Sequence, residues 1–129
     1  MVYKVVSFWS APKPEDEEEF ETYYTEIHAR FAARVPGTLN LILTRTSDFF
    51  EITPSAFYRV AEMWYESKEA YDAATQTREW AEMRVDGGYV HDRFGCTLTS
   101  GLGEMVDVPL DPGGSIPAGA AAKKKTPAP

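Results

Sequence analysis

Residues 38–65, TLNLILTRTSDFFEITPSAFYRVAEMWY, contain two strand-like runs that are separated by ten residues including Pro54. In the first run, residues 38–46, leucines alternate with polar residues, as in a strand with one buried face. The second run, residues 57–65, is apolar and aromatic on both faces, which is typical of a central strand. The simplest structure for this pair is a β-hairpin, because the intervening residues have turn character.

The segment before the hairpin predicts a strand followed by a helix. Residues 2–9 form a β-branched and aromatic run. Residues 13–37 have Pro14 and a cluster of acidic residues near their start. Carboxylates suit the positive N-terminal end of a helix, and the pair Pro36-Gly37 ends it. Apolar residues recur along this helix at spacings of three and four, which predicts a stripe packed on the sheet.

The segment after the hairpin predicts a second helix and a fourth strand. Ser67 is a suitable N-cap, and residues 77–86, TREWAEMRVD, continue in helical form. The pair Gly87-Gly88 is then expected to release the chain into a strand over residues 89–98.

The resulting order, βαββαβ, is that of the ferredoxin-like split βαβ fold of the α+β class. It predicts a four-stranded antiparallel sheet with strands 1 and 3 at the centre. Two helices cover only one face of such a sheet, and the other face carries aromatic residues on its central strands. The sequence therefore predicts a homodimer in which two sheets pack face to face.

A change in composition divides the chain into a domain over residues 1–102 and a tail over residues 103–129 that is rich in Pro, Gly and Ala. The tail has too little apolar surface to offset its ordering entropy, so disorder is expected from about residue 111 onward. Its cluster Lys123–Lys125 is interpreted as a solvated feature, with docking on an acidic partner as the alternative.

Charge and composition exclude several classes of function. The net charge of −7 argues against a nucleic-acid partner. The first ten residues lack the pattern of a signal peptide and no apolar run has the length of a membrane span, so a cytoplasmic location without a membrane partner is predicted. A lone Cys96 forms no intrachain disulfide, and the two histidines are not spaced like metal ligands. We expect neither a metal nor another cofactor.

His28 is the first candidate for chemistry. It lies at the edge of the apolar stripe of the first predicted helix, four residues after Tyr24 and three before Phe31, so the three side chains share one flank. A neutral imidazole in a pocket between helix and sheet would transfer protons to and from a substrate carbonyl or hydroxyl. The alternative, which helix position alone favours, is a structural histidine that is hydrogen-bonded to a neighbouring strand or loop.

The stretch FETYYTEIHARFAARVPG, residues 20–37, resembles the EthD-like family of the dimeric α+β barrel superfamily. The family's first helix carries an aromatic residue, three further residues and then His-Ala, which correspond to Tyr24 and His28-Ala29 here. The third strand, with the helix after it, and the stretch DGGYVHDRFG are similar to the family's later elements. The resemblance spans about residues 2–100.

This resemblance implies a dimeric α+β barrel with a pocket between helix and sheet, and it makes His28 the expected catalytic residue. The stretch that contains Asp86 and Asp92 resembles the family's last strand region. It implies no single reaction, because members include an ether-degradation accessory protein, a lactone isomerase, and dehydratase or decarboxylase enzymes that act on aromatic polyketides.

Three residues of the third strand, Tyr58, Glu62 and Trp64, share one strand face and join Tyr24 as candidate substrate-binding residues. Between a phenol and an indole, Glu62 would act as an acid or orient His28. The alternatives are that Glu62 bonds across the dimer interface and that the aromatic side chains are ordinary core packing.

Three hypotheses of function follow. The first is a cofactor-independent enzyme that isomerises or dehydrates a small hydrophobic carbonyl, lactone or polyketide-like compound, with His28 as general acid and base and with Tyr24 and Tyr58 as hydroxyl donors. The second is a dimeric ligand-binding or accessory protein without catalysis, in which His28 is only a polar anchor. The third is a cofactorless monooxygenase that acts on an electron-rich phenolic substrate.

Overall fold

The structure is a computed structural model and describes residues 2–117 and residue 119, so the cluster Lys123–Lys125 lies outside the described residues. A 3-10 turn over Pro14–Asp16 leads into the first helix, and a π-helical turn over Tyr24–His28 interrupts it. In the described part of the chain, no helix is both long enough and apolar enough to cross a membrane. The strands and α-helices follow in the order β1 (Tyr3–Trp9), α1 (Glu17–Tyr23), α2 (Ala29–Ala33), β2 (Asn40–Arg45), β3 (Arg59–Tyr65), α3 (Lys68–Ala74), α4 (Arg78–Phe94) and β4 (Leu98–Glu104).

The four strands form one antiparallel sheet in the order β2-β3-β1-β4. This confirms the predicted ferredoxin-like arrangement, with the first and third strands at the centre. The helices lie on one face of the sheet. On that face Val5 and Met63, which are paired across β1 and β3, are buried beneath them.

The prediction for residues 89–98 is wrong, because α4 continues to Phe94 and β4 begins only at Leu98. Gly87 and Gly88, which were expected to end the helix, lie inside it. The helix ends instead at Gly95, whose φ of 71° is left-handed and whose N–H bonds the carbonyl of His91 at 2.9 Å. Residues four apart lie on the same face in a helix and also in a strand. The apolar pattern of this segment therefore fits both structures, and alternation alone does not identify a strand here. The buried residues of α4 have helical spacing: Met83, Asp86, Gly87, Val90 and Phe94.

Strand β4, LTSGLGE, has little strand character in its sequence, and all of it after Leu98 is exposed. It is a strand because every one of its residues pairs with β1, from Leu98 opposite Trp9 to Glu104 opposite Tyr3. The predicted domain boundary at residue 102 therefore falls inside this strand. The main-chain pairing reaches one residue further, where the N–H of Met105 bonds the carbonyl of Val2 at 2.8 Å.

The apolar core on the helix-covered face consists of two clusters rather than one. One cluster joins α2, β3 and the start of α4, and the other joins the end of β1 to α1 and to the end of α4. Between them the helices and the sheet separate and leave a cavity. The buried members are Val5, Ala32, Val35, Met63, Tyr65, Ala74 and Met83 in the first cluster, and Trp9, Phe20, Tyr24, Tyr58, Val90, Phe94 and Cys96 in the second.

Two glycine substitutions test where α4 ends. Gly95→Ala places a Cβ in a left-handed conformation and should lower the free energy of unfolding by about 1 to 2 kcal/mol. Gly88→Ala is the matched control, since nothing lies within 4 Å of its added Cβ and alanine favours a helix interior. It should raise the free energy of unfolding by about 0.5 to 1 kcal/mol. Urea denaturation of each variant measures these changes. A loss of stability in Gly88→Ala would contradict a continuous helix.

Candidate functional site

An open cavity of about 420 Å³ lies between the sheet and the helices, within the size range of small-molecule sites. It exists because small residues face each other across the two layers: Ser7, Ala61 and Ser100 from the strands and Ala29, Ala32 and Gly87 from the helices. Apolar and aromatic side chains close the remaining walls. They are Val5, Trp9, Tyr24, Leu41, Leu43, Met63, Tyr71, Trp80, Met83, Leu98 and Leu102, and the polar side chains His28 and Arg84 complete the lining.

The π-helical turn over Tyr24–His28 presents Tyr24 and His28 to this cavity. Such turns are rare within helices and occur frequently at functional sites. The Tyr24 and His28 side chains are buried, and their ring centroids are 5.3 Å apart. The indole of Trp9 meets the imidazole edge-on, with centroids separated by 5.8 Å. His28 is therefore held by aromatic rings from the same helix and from β1.

His28 is also held from α4 by a buried carboxylate. Its Nδ1 lies 2.8 Å from Oδ2 of Asp86, and the hydroxyl of Tyr23 donates a hydrogen bond to Oδ1 of the same residue. The next residue, Gly87, has no side chain, and a Cβ there would lie 3.8 Å from Cε1 of His28. The imidazole thus lies next to α4, where Asp86 reaches it.

This arrangement specifies how His28 acts on a proton. The carboxylate of Asp86 accepts from Nδ1–H, so the neutral imidazole has its lone pair on Nε2. Among the described residues no side chain bonds Nε2, and His28 lines the cavity. A proton taken up at Nε2 would create an imidazolium next to an ionised carboxylate, which stabilises it. The pair has the geometry of a general base and its orienting group.

The tyrosines around His28 are proton donors at neutral pH. Burial raises the pKa of Tyr24 well above its usual value, although the Arg59 guanidinium, 5.0 Å from the Tyr24 ring, opposes this. Burial also raises the pKa of Tyr23, as does its hydrogen bond to the Asp86 carboxylate. Both phenols therefore keep their protons, and Tyr24 offers the cavity a hydroxyl donor.

Of the residues predicted from the sequence, the structure brings His28 and Tyr24 together at the cavity but leaves Tyr58 apart from them. Tyr58 lies just before β3 and packs edge-on against Phe20, with ring centroids 5.5 Å apart. Its hydroxyl donates to Oε2 of Glu21 at 2.6 Å. It does not line the cavity, so the structure does not bring it together with Tyr24 and His28.

Glu62 and Trp64 also lie apart from His28, on the opposite face of the sheet. Ala61 and Met63 line the cavity, and neighbouring residues of a strand point to opposite faces. On that outer face Glu62 pairs with Nζ of Lys4 at 2.6 Å, and the same Nζ lies 5.3 Å from the centre of the Trp64 ring. The expected group of Tyr58, Glu62 and Trp64 around the imidazole is therefore not found.

Asp86 is the residue that the sequence reasoning did not assign to the site. A carboxylate within the stripe formed by Met83, Gly87 and Val90 was a usable signal, because a buried charge requires a partner. The predicted break at Gly87-Gly88 hides this signal, because it separates Asp86 from Val90. Asp92, by contrast, is exposed at the surface. In the described part of the chain, no three His, Cys, Asp or Glu side chains converge in a way that would hold a metal ion.

The tautomer of His28 tests its link to Asp86. In long-range ¹H–¹⁵N spectra at pH 8, the imidazole of His28 should carry its proton on Nδ1. Asp86→Ala should shift the population toward the Nε2–H form, which is usual in water, whereas Tyr23→Phe, which keeps the carboxylate, should not. His91→Gln removes the other histidine and assigns the signals. An Nε2–H form in the unmodified chain would show that Asp86 does not orient the ring.

Comparison with known proteins identifies relatives of this chain. A family model described as the EthD domain matches residues 12–90. A search among curated protein sequences finds no match. A solved structure of an ethyl tert-butyl ether d (ethd) family protein from Bacillus halodurans has 24% identity and a TM-score of 0.71, and the match covers 82% of this chain and 100% of that chain.

Two further solved structures share the fold at lower identity. HapK from Hahella chejuensis has 13% identity and a TM-score of 0.59, over 86% of this chain and 99% of its own. SnoaB from Streptomyces nogalater, a cofactor-independent oxygenase, has 19% identity and a TM-score of 0.54, over 83% of this chain and 95% of its own. At these identities the likeness concerns the fold, a four-stranded antiparallel sheet with helices.

Proposed function

This chain belongs to the EthD domain family, and from that premise we propose that it is a cofactor-independent enzyme acting on a small hydrophobic carbonyl or phenolic compound. His28 is the proposed general base and acid. The observation that supports this most directly is the His28–Asp86 pair, in which the imidazole lines the cavity and its Nε2 is left for a substrate. Asp86 orients the ring and stabilises its charged form.

The first step is removal of a proton from a carbon next to a carbonyl group. Nε2 of His28 takes the proton, and the electron pair of the C–H bond moves into the carbonyl to give an enolate. Tyr24 lines the same cavity and keeps its proton, so its hydroxyl is the proposed donor to the enolate oxygen. A substrate seated between the aromatic and aliphatic walls would displace water, which strengthens both interactions.

The enolate then has two outcomes that need no cofactor. In an isomerisation, His28 returns the proton to a different carbon and the double bond moves. In a dehydration, His28 protonates a hydroxyl on the neighbouring carbon, the C–O bond breaks and water leaves. Each sequence returns the imidazole to its neutral form, so the enzyme is ready for another turnover.

A cofactor-independent oxygenase is the second candidate. The observation that favours it is the shared fold with SnoaB, which is an enzyme of that kind. The same enolate would supply electrons to O₂, and a CH₂ group would become a carbonyl while the second oxygen atom leaves as water. A protein that only binds its ligand is the remaining alternative, and in it His28 would contribute affinity without turnover.

Turnover by a His28 variant tests the proposal. Dihydroxyanthrone, a phenolic ketone with an acidic CH₂, and a set of unsaturated lactones would be followed by absorbance, by deuterium exchange in D₂O and by oxygen consumption. His28→Gln should lower the rate about 10²- to 10⁴-fold while ligand affinity is largely kept. His91→Gln, in an exposed histidine, should leave the rate unchanged.

The readouts separate the candidates. Deuterium exchange without oxygen uptake supports isomerase or dehydratase chemistry, and oxygen uptake supports the oxygenase. Binding without exchange or turnover of any compound would leave a ligand-binding protein, and equal rates in His28→Gln would contradict the role of the histidine.

We further propose that the chain acts as a homodimer through the outer face of its sheet. That face has a central Lys4–Glu62 pair within a half-buried apolar surface. The rings of Phe8 and Phe57 are 4.3 Å apart and extend this surface toward the exposed loop before β3. A partly exposed apolar surface of this kind is typical of an interaction site. Its remaining apolar members are Val6, Ile42, Val60 and Trp64.

Val6→Glu tests the dimer, because it places a charge at the centre of the outer face opposite Glu62. Light scattering after size exclusion should give twice the chain mass for the unmodified protein and the single-chain mass for Val6→Glu. The control is Val85→Glu, at an exposed valine of α4 on the other side of the molecule. A monomeric unmodified protein, or a variant that remains dimeric, would contradict this interface.

A further inference from the structure

Arg84 is a charged residue of the cavity lining that takes no part in the proton transfer described above. It lies on α4, one helical turn before Gly87, and is exposed at the edge of the cavity. Within the described residues no carboxylate forms an ion pair with it, whereas Arg45, Arg59 and Arg93 all have acidic partners. Its charge is therefore available to a molecule in the cavity.

The cavity also lacks acidic groups, although the chain as a whole is rich in them. Asp and Glu account for 20 of the 129 residues, so a random set of the nineteen lining residues would include about three. None of the lining residues is acidic. Asp86 lies behind the imidazole and is bonded to His28 and Tyr23. In a protein with a net charge of −7, the cavity is thus a local region where an anion meets no repelling carboxylate on the wall.

Arg84 lies about one helical turn from the part of α4 that is next to His28. Three residues along an α-helix correspond to about 4.5 Å, so the Cα of Arg84 lies about that far along the axis from Gly87, where an added Cβ would lie 3.8 Å from Cε1 of His28. Tyr71 and Trp80 provide aromatic walls near Arg84. Burial raises the pKa of Tyr71, and the charge of Arg84 opposes that effect, so the guanidinium acts electrostatically on this wall.

We propose that the natural ligand is an anionic aromatic compound whose carboxylate or ionised phenol pairs with Arg84 while its reacting carbon faces His28. The aromatic walls suit an aromatic ligand. Guanidinium suits this role because its planar donors bind a carboxylate in a bidentate manner and it is weakly hydrated. The position of the reacting carbon rests on the proposed function, whereas anion selection by Arg84 does not.

A matched pair of fluorescent probes tests anion selection without any turnover. 1-Anilinonaphthalene-8-sulfonate and N-phenyl-1-naphthylamine have the same rings and differ in the sulfonate. In the full chain, Arg84→Gln should weaken binding of the sulfonate about tenfold and change binding of the neutral probe less than twofold, as expected for one charged hydrogen-bonded contact. Added salt should weaken the sulfonate selectively.

Two further variants locate the effect. Arg30→Gln, at an exposed arginine of α2 outside the cavity, should change neither affinity. Ala29→Phe, which fills part of the cavity from a half-exposed helix position, should weaken both probes, and the two probes should displace each other. Mutual displacement gives the same information if Ala29→Phe fails to fold.

The proposal is overturned if the unmodified chain binds neither probe, if Arg84→Gln affects both probes equally or neither, or if the probes do not compete. Binding of the sulfonate through Arg84 in a chain that turns over no compound would retain this inference and reject the enzyme. Turnover that depends on His28, with no effect of Arg84→Gln on probe binding, would retain the enzyme and reject this inference.

Discussion

The buried contact between His28 and Asp86 is the constraint on which the rest of the site depends. It joins the first helical segment to α4 across 58 residues of sequence, and both side chains are about nine-tenths buried. A carboxylate in such a place is tolerated because both of its oxygens accept hydrogen bonds, one from the imidazole and one from Tyr23. For this contact to form, α4 must remain helical through Asp86 and must approach closely at Gly87.

A second group of polar side chains supports the opposite side of Tyr24. The guanidinium of Arg59 is almost fully buried, lies 5.0 Å from the centre of the Tyr24 ring and bonds to Glu21. Glu21 also accepts a hydrogen bond from the hydroxyl of Tyr58, so Tyr58 supports the site without lining the cavity. The π-helical turn is therefore held by an ion pair near its beginning and by Asp86 at its end, which keeps Tyr24 and His28 on the cavity wall.

The cavity and the charge distribution are consequences of the same packing. Small residues on facing elements prevent helix and sheet from closing, while the two core clusters fix the distance between the layers. The acidic residues lie away from the cavity lining; Glu21 on α1 meets Arg59, and Glu62 on the outer face of the sheet meets Lys4. The wall is thus left with an imidazole, phenols, two serine hydroxyls and one arginine as its main polar groups.

The sequence by itself determined the order of the elements, the central position of the first and third strands, and the shared flank of Tyr24 and His28, because these follow from local periodicity. It did not determine which face of β3 meets the helices, since both faces are apolar, and the structure places Glu62 and Trp64 on the face away from them. Strand β4, rich in glycine, is a strand only through its pairing with β1. The partnership of His28 with Asp86 was decided by the tertiary structure alone, because folding brings together residues that are far apart in the chain.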